Sequence, residues 1–148
     1  MTDETLVGRL GHRFTEALVG ATHLHSAQRR KGSDIPDIFH LLGVASIALE
    51  FGATEDEAIA ALRHDVIEDI PSDLGASWAR KWIRFSFGAA VLEIVETCTD
   101  AEVQPKPPWL ARKIKYIDDL ATASQSAILV SASDKLHKRT GDSHGLPR

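Results

Sequence analysis

Apolar residues recur along this chain with the three-to-four-residue period of amphipathic helices, and no alternating run long enough for a strand appears. Leu6, Leu10, Phe14, Leu18, Ala21 and His25 form one stripe, which predicts a helix over 4–28. Gly32-Ser33-Asp34-Ile35-Pro36 breaks it. Pro36, with its fixed φ and missing N–H, suits the first turn of a second helix. That helix carries Phe39, Leu42, Val44, Ile47 and Leu49 and stops near Gly52. Thr54-Glu55-Asp56-Glu57 has the reciprocal pattern of a capping box and opens a third helix over about 55–69, ended by Pro71. Trp78, Trp82 and Phe85 mark a fourth helix, and residues 89–98 a fifth. Pro105, Pro107 and Pro108 require a loop within 100–108, after which two helices follow at about 109–122 and 125–139. The fold class is therefore all-α, with about seven helices and no internal repeat. A polar tail over 141–148 is expected to fray, leaving one domain over 1–140.

Composition narrows the reading. The 148 residues suffice for one buried core but not for two. With 17 Lys+Arg against 21 Asp+Glu the net charge is −4, which argues against nucleic acid as the partner. A single cysteine, Cys98, excludes an internal disulfide framework and a cysteine-rich zinc site. No apolar run reaches the roughly 18–20 residues of a membrane span, and the acidic start Met1-Thr2-Asp3-Glu4 is unlike a signal peptide. A cytoplasmic protein without membrane contact is expected. Seven histidines are the one compositional surplus, and their neighbours decide what they mean.

The strongest local signal is His64-Asp65-Val66-Ile67-Glu68-Asp69. On a continuous helix His64 stacks over Glu68 and Asp65 over Asp69, with Val66 and Ile67 turned to the core. Three acids at a helix C-terminus oppose the macrodipole, so either solvent or a bound cation must relieve them. His40 is the only polar residue between Ile38 and Gly43, placed as a hydrogen-bonded core residue or as a ligand. Asp134 sits in the Leu/Val-rich stretch from Ile128 to Leu136, where a carboxylate must be paired, protonated or metal-bound. Lys135 and Arg139 are its nearest candidate partners. Taken together, two histidines and two aspartates are a nitrogen and oxygen set suited to Mn²⁺, Fe²⁺ or Zn²⁺. A bound ion would acidify a water that Glu68 or Asp69 could orient or deprotonate. Arg29-Arg30-Lys31, Lys106, Arg112 and Lys113 supply cations for phosphoryl groups.

His40, His64-Asp65 and Asp134 have the order and spacing of the HD-domain metal phosphohydrolases, which this chain resembles. Gln28-Arg29-Arg30-Lys31-Gly32, Ala60 through Asp69 and Ser133 through His137 sharpen that likeness to the alarmone hydrolases of the RelA/SpoT type. The likeness covers about 20–140 and is greatest to the small stand-alone members. It implies an HD-domain helical bundle, C-terminally short relative to the family. It implies hydrolysis of the 3′-pyrophosphate of guanosine polyphosphates to GDP or GTP, with Mn²⁺ or another divalent cation. Carried over by position, His40, His64, Asp65 and Asp134 would hold the metal, and Glu68 and Asp69 would position and activate water. Arg30, Lys31, Lys106, Arg112, Lys138 and Thr140 are the candidate substrate contacts. The chain departs from the family pattern in having Asp37 for Tyr, Leu41 for Pro, Arg63 for Leu and Lys138 for Asn. Two alternatives stay open: another nucleotide or NADPH as substrate, and a truncated domain that binds a nucleotide or partner without turnover. An apolar face exposed where relatives carry further helices would favour a homo-oligomer.

Overall fold

The computed structural model describes residues 9–70, 73–100 and 105–142. Its helices are α1 (His12–Leu24), α2 (Ile38–Glu50), α3 (Glu55–Arg63), α4 (Val66–Asp69), α5 (Gly75–Phe87), α6 (Ala89–Cys98), α7 (Trp109–Ala121) and α8 (Gln125–Asp142). Seven are two turns or longer, and α4 is a single turn. Among the described residues the only β pairing is an isolated bridge between Arg29 and Pro36.

The centre of the molecule is α3. Ala58, Ile59, Ala60, Ala61 and Leu62 are all fully buried, so this helix has no solvent face along that stretch. Its alanines let α1, α2, α6 and α8 approach closely on every side, and the core closes through Leu41, Val44, Ile83, Val91, Val95 and Val130. Its start is the expected capping box: Glu57 N–H donates to Thr54 Oγ1 at 3.3 Å and Thr54 N–H to Glu57 Oε2 at 2.8 Å. Gly52 ends the preceding helix with φ of 85°, a left-handed conformation open to glycine.

Four expectations shift. The first helix begins at His12 and ends at Leu24, and residues 1–8 lie outside the described ones, as does Pro71. The helix expected over 55–69 divides in two at His64–Asp65. The His64 ring takes the Ala61 carbonyl at 2.8 Å, the acceptor a continuous helix would offer to the Asp65 N–H. On α5 the buried line is Ala79, Ile83 and Phe87, while Phe85 is 93% exposed. The last helix runs to Asp142, past the expected start of the tail, and 143–148 lie outside the described residues. No helix among the described residues is long and apolar enough to cross a membrane.

Thr54→Ala removes one half of the cap that starts the central helix. It should cost about 1 kcal/mol, read as a lower denaturant midpoint at unchanged slope. An unchanged midpoint would show that the cap is not what sets the start of α3.

Candidate metal centre

Three parts of the chain meet at one point. α2 delivers His40, the break between α3 and α4 delivers His64 and Asp65, and α8 delivers Asp134. His40 Nε2 lies 2.8 Å from Asp134 Oδ1. His64 Nε2 lies 3.3 Å from the same oxygen and 3.1 Å from Asp65 Oδ1. Both imidazoles and Asp134 are buried, and Asp65 is half-buried.

The donor set fits a divalent cation. A carbonyl oxygen only accepts, so the 2.8 Å contact with Ala61 O puts the His64 proton on Nδ1 and leaves a lone pair at Nε2 in the neutral ring. That buried Nε2 has no well-aligned hydrogen-bond partner. When His40 also turns a lone pair inward at Nε2, two imidazoles and two carboxylates face one another, and a cation among them would satisfy all four. A cation about 2.1 Å from each donor would hold adjacent donors about 3 Å apart, close to the spacing seen. Without metal, a proton fills the role. Burial alone would lower the His64 imidazole, but Asp65 and Asp134 raise it to about 10. Burial would likewise raise the two carboxyls. The His64 charge outweighs it at Asp65, and hydrogen bonds from His40 and His64 outweigh it at Asp134, so both sit well below the usual range. His40 is lowered by its burial, which keeps its ring neutral.

Sequence reasoning did not give His137 a part, yet its Nδ1 is 2.8 Å from His40 Nδ1. When His40 Nε2 offers its lone pair, Nδ1–H donates to His137, which fixes the tautomer and orientation of His40. Gly43 makes room for this: a Cβ there would lie 2.0 Å from His137 Nε2. The signal was present as spacing. His137 follows Asp134 by three residues on one helix face, as Gly43 follows His40.

Beside the four donors opens a cavity of about 370 Å³, with Asp65, Glu68 and Asp69 among its lining carboxylates and Arg29, Arg30 and Lys138 among its cations. A narrow hairpin presents the arginines: Arg30 N–H donates to Ile35 O and Asp37 N–H to Gln28 O, both at 2.9 Å. Gly32 turns its tip with φ of 74°. Arg30 Nη1 also binds Asp37 Oδ1 at 3.0 Å, and Asp37 and Gln28 line the same cavity. Burial raises Glu68, and partial burial with the carboxylates of Asp65, Asp37 and Glu68 raises Asp69, which is exposed to solvent, to about 7. Glu68 Oε1 accepts the Asp100 N–H.

Of the expected substrate contacts, Arg30 and Lys138 line the cavity. Lys106 Nζ lies 4.0 Å from Glu68 Oε2. Three fall elsewhere. Lys31 is exposed at the hairpin tip, and Thr140 is exposed with its hydroxyl on His137 O at 2.9 Å. Arg112 is held by Asp100 Oδ2 at 2.6 Å and Pro107 O at 3.0 Å, so it buttresses the Asp100 loop instead of facing the cavity. Asp134 pairs with Lys135 at 3.0 Å and Lys138 at 3.1 Å, where Lys135 and Arg139 were expected.

The model of the HD domain family matches residues 17–139. The guanosine-3′,5′-bis(diphosphate) 3′-pyrophosphohydrolase of Haemophilus influenzae (strain ATCC 51907 / DSM 11121 / KW20 / Rd) is 37% identical over 76 residues, 51% of this chain and 10% of that protein. The enzyme of the same name from Aquifex aeolicus (strain VF5) is 32% identical over 114 residues, 77% of this chain and 14% of that protein. The chain thus spans only a small part of the length of these curated relatives. Among solved structures, a metazoan orthologue of SpoT, described as hydrolysing ppGpp and acting in starvation responses, superposes with a TM-score of 0.78 at 28% identity. The match covers 95% of this chain and 75% of that one.

Two outcomes follow for the donor set. Because His64 must lose its proton to ligate, titrating metal-free protein with Mn²⁺ at pH 8 should release about one proton, seen as heat that varies with the ionisation enthalpy of the buffer. Heat independent of buffer would refute the proton-for-metal exchange. His137→Ala should weaken Mn²⁺ binding by about 10–100-fold in the same titration, as loss of a group that orients a ligand does.

Proposed function

This chain belongs to the HD domain family, and on that premise we propose that it hydrolyses the 3′-pyrophosphate of guanosine polyphosphates, yielding GDP or GTP and pyrophosphate, with Mn²⁺ as its cation. The observation that carries the reading is the convergence of His40, His64, Asp65 and Asp134 beside a cavity lined by both carboxylates and basic side chains. Its relatives' names supply the substrate class.

The chain's own groups divide the work by charge. His40, His64, Asp65 and Asp134 hold the cation, which when bound supplies Lewis acidity and lowers the pKa of water. Glu68, fixed by the Asp100 N–H, orients the attacking water. Asp69, held near neutrality, accepts its proton. Arg29, Arg30 and Lys138 neutralise the phosphoryl oxygens and the charge that develops on the leaving pyrophosphate. One observation favours a second reading, a nucleotide-binding domain without turnover. Lys138 Nζ stands 3.1 Å from Asp134 Oδ1, the oxygen that both imidazoles face, and so competes for a ligand atom.

A Mn²⁺-supplemented panel of ppGpp, pppGpp, ppApp and NADPH tests this directly. Pyrophosphate should come from the guanosine compounds and stop with Asp65→Ala. Turnover of NADPH alone would move the substrate, and inertness towards all four would leave the binding reading. Glu68→Gln should slow turnover by about 10²–10⁴-fold with little change in Mn²⁺ content. A base works only when ionised, so kcat/KM should fall with acidity along a limb at or below pH 7, since a bound cation draws Asp69 lower than about 7. Asp69→Asn should flatten that limb.

A further inference from the structure

On the far side of α3 a charged side chain is buried with no hydrogen-bond acceptor among the described residues. Arg63, the last residue of α3, is 1% exposed, and its Nε, Nη1 and Nη2 are all buried without a hydrogen-bond partner among the described residues. Among the described residues no carboxylate pairs with its guanidinium. A guanidinium stays charged at neutral pH wherever it lies. Its guanidinium lies over the Trp82 ring at 4.7 Å and the Phe87 ring at 5.7 Å. Cation–π attraction offsets only part of the cost of taking an unpaired guanidinium from water. A buried fork of five N–H donors without an acceptor is an incomplete interaction.

The same group lines a cavity of about 440 Å³ between α1 and α5, within the size range of small-molecule sites. Val19, Trp82 and Phe87 make its walls apolar, Thr15 and Ser86 add hydroxyls, and Glu16 stands among its lining. Gly20 is cut to fit the guanidinium: a Cβ there would lie 2.0 Å from Arg63 Nη2. We propose that this cavity binds a small aromatic or apolar monocarboxylate, whose two oxygens take the Arg63 fork while its body lies against Trp82 and Phe87. One guanidinium, with the Glu16 carboxylate and its partner His12 at 3.1 Å also in the lining, suits one negative charge and disfavours a polyphosphate. Trp82 covers the guanidinium and stacks on Trp78 at 5.9 Å with 5° between the planes, so entry of the ligand turns this ring aside. The site shares no lining residue with the cavity beside the metal donors.

Benzoate and its neutral isostere benzamide test the assignment by calorimetry and by tryptophan fluorescence of the full chain. A Trp109→Phe background leaves Trp78 and Trp82 as the reporters. Benzoate should bind at one saturable site, at least tenfold tighter than benzamide, with a change in Trp82 emission. Arg63→Leu, which keeps an apolar stem and removes the charge, should erase that preference while Mn²⁺ binding persists. Equal binding of the two probes, no binding of benzoate, or a preference that survives Arg63→Leu would each overturn the proposal. So would inorganic phosphate replacing benzoate as the ligand that moves Trp82. The comparison of the two probes on the unsubstituted chain stands even if Arg63→Leu does not fold.

Discussion

One carboxylate oxygen holds the site together. Asp134 Oδ1 is faced by imidazoles from two different parts of the chain, and α2, the α3–α4 break and α8 are fixed relative to one another through it. None of these groups is tolerable in a core alone. A buried carboxylate without a partner is expensive, and so is a buried imidazole whose lone pair meets only other lone pairs. Each is stabilised by the others and by whichever cation, proton or metal, stands between them. The arrangement is thus a condition of folding as much as a means of chemistry.

The central helix explains why such a cluster can be buried at all. A helix of small residues packed on every side brings four neighbours close, and the polar groups gather where it ends. The interruption at His64 has a local cause, the ring nitrogen that takes the Ala61 carbonyl. That bond fixes a tautomer and redirects Asp65 in one step. From α8, His137 settles into the notch left by Gly43 and orients His40 in the same manner.

Much of this was legible from residue order. Helical periodicity gave the class, and Thr54 with Glu57 gave the start of α3, because both signals are local. His40, His64, Asp65 and Asp134 stood out as polar residues in apolar runs, and they do meet. What the sequence could not convey was direction. A continuous pattern through Asp69 hid the break, since the backbone there stays near helical dihedrals while one side chain replaces a hydrogen bond. Basic residues were equally visible wherever they lay. Only the fold separates Arg30, carried to the cavity by a hairpin, from Arg112, engaged by Asp100. Phe85 reads as core by its spacing from Trp82, yet the face that α5 buries is set by Ala79, Ile83 and Phe87.

The helix that supports the Asp100 loop is the least embedded of the long ones. α7 buries only Tyr116, bonded through its hydroxyl to Ser131, and leaves Trp109, Leu110, Ile114 and Ile117 exposed. Its Arg112 and Lys113 grip Asp100, whose N–H in turn holds Glu68. Local opening free energies follow the apolar area an element buries, so opening α7 should cost less than opening the embedded helices. The position of a carboxylate in the cavity is thereby tied to the breathing of a peripheral helix. Any surface that covers the outer face of α7 would steady Glu68 without touching it.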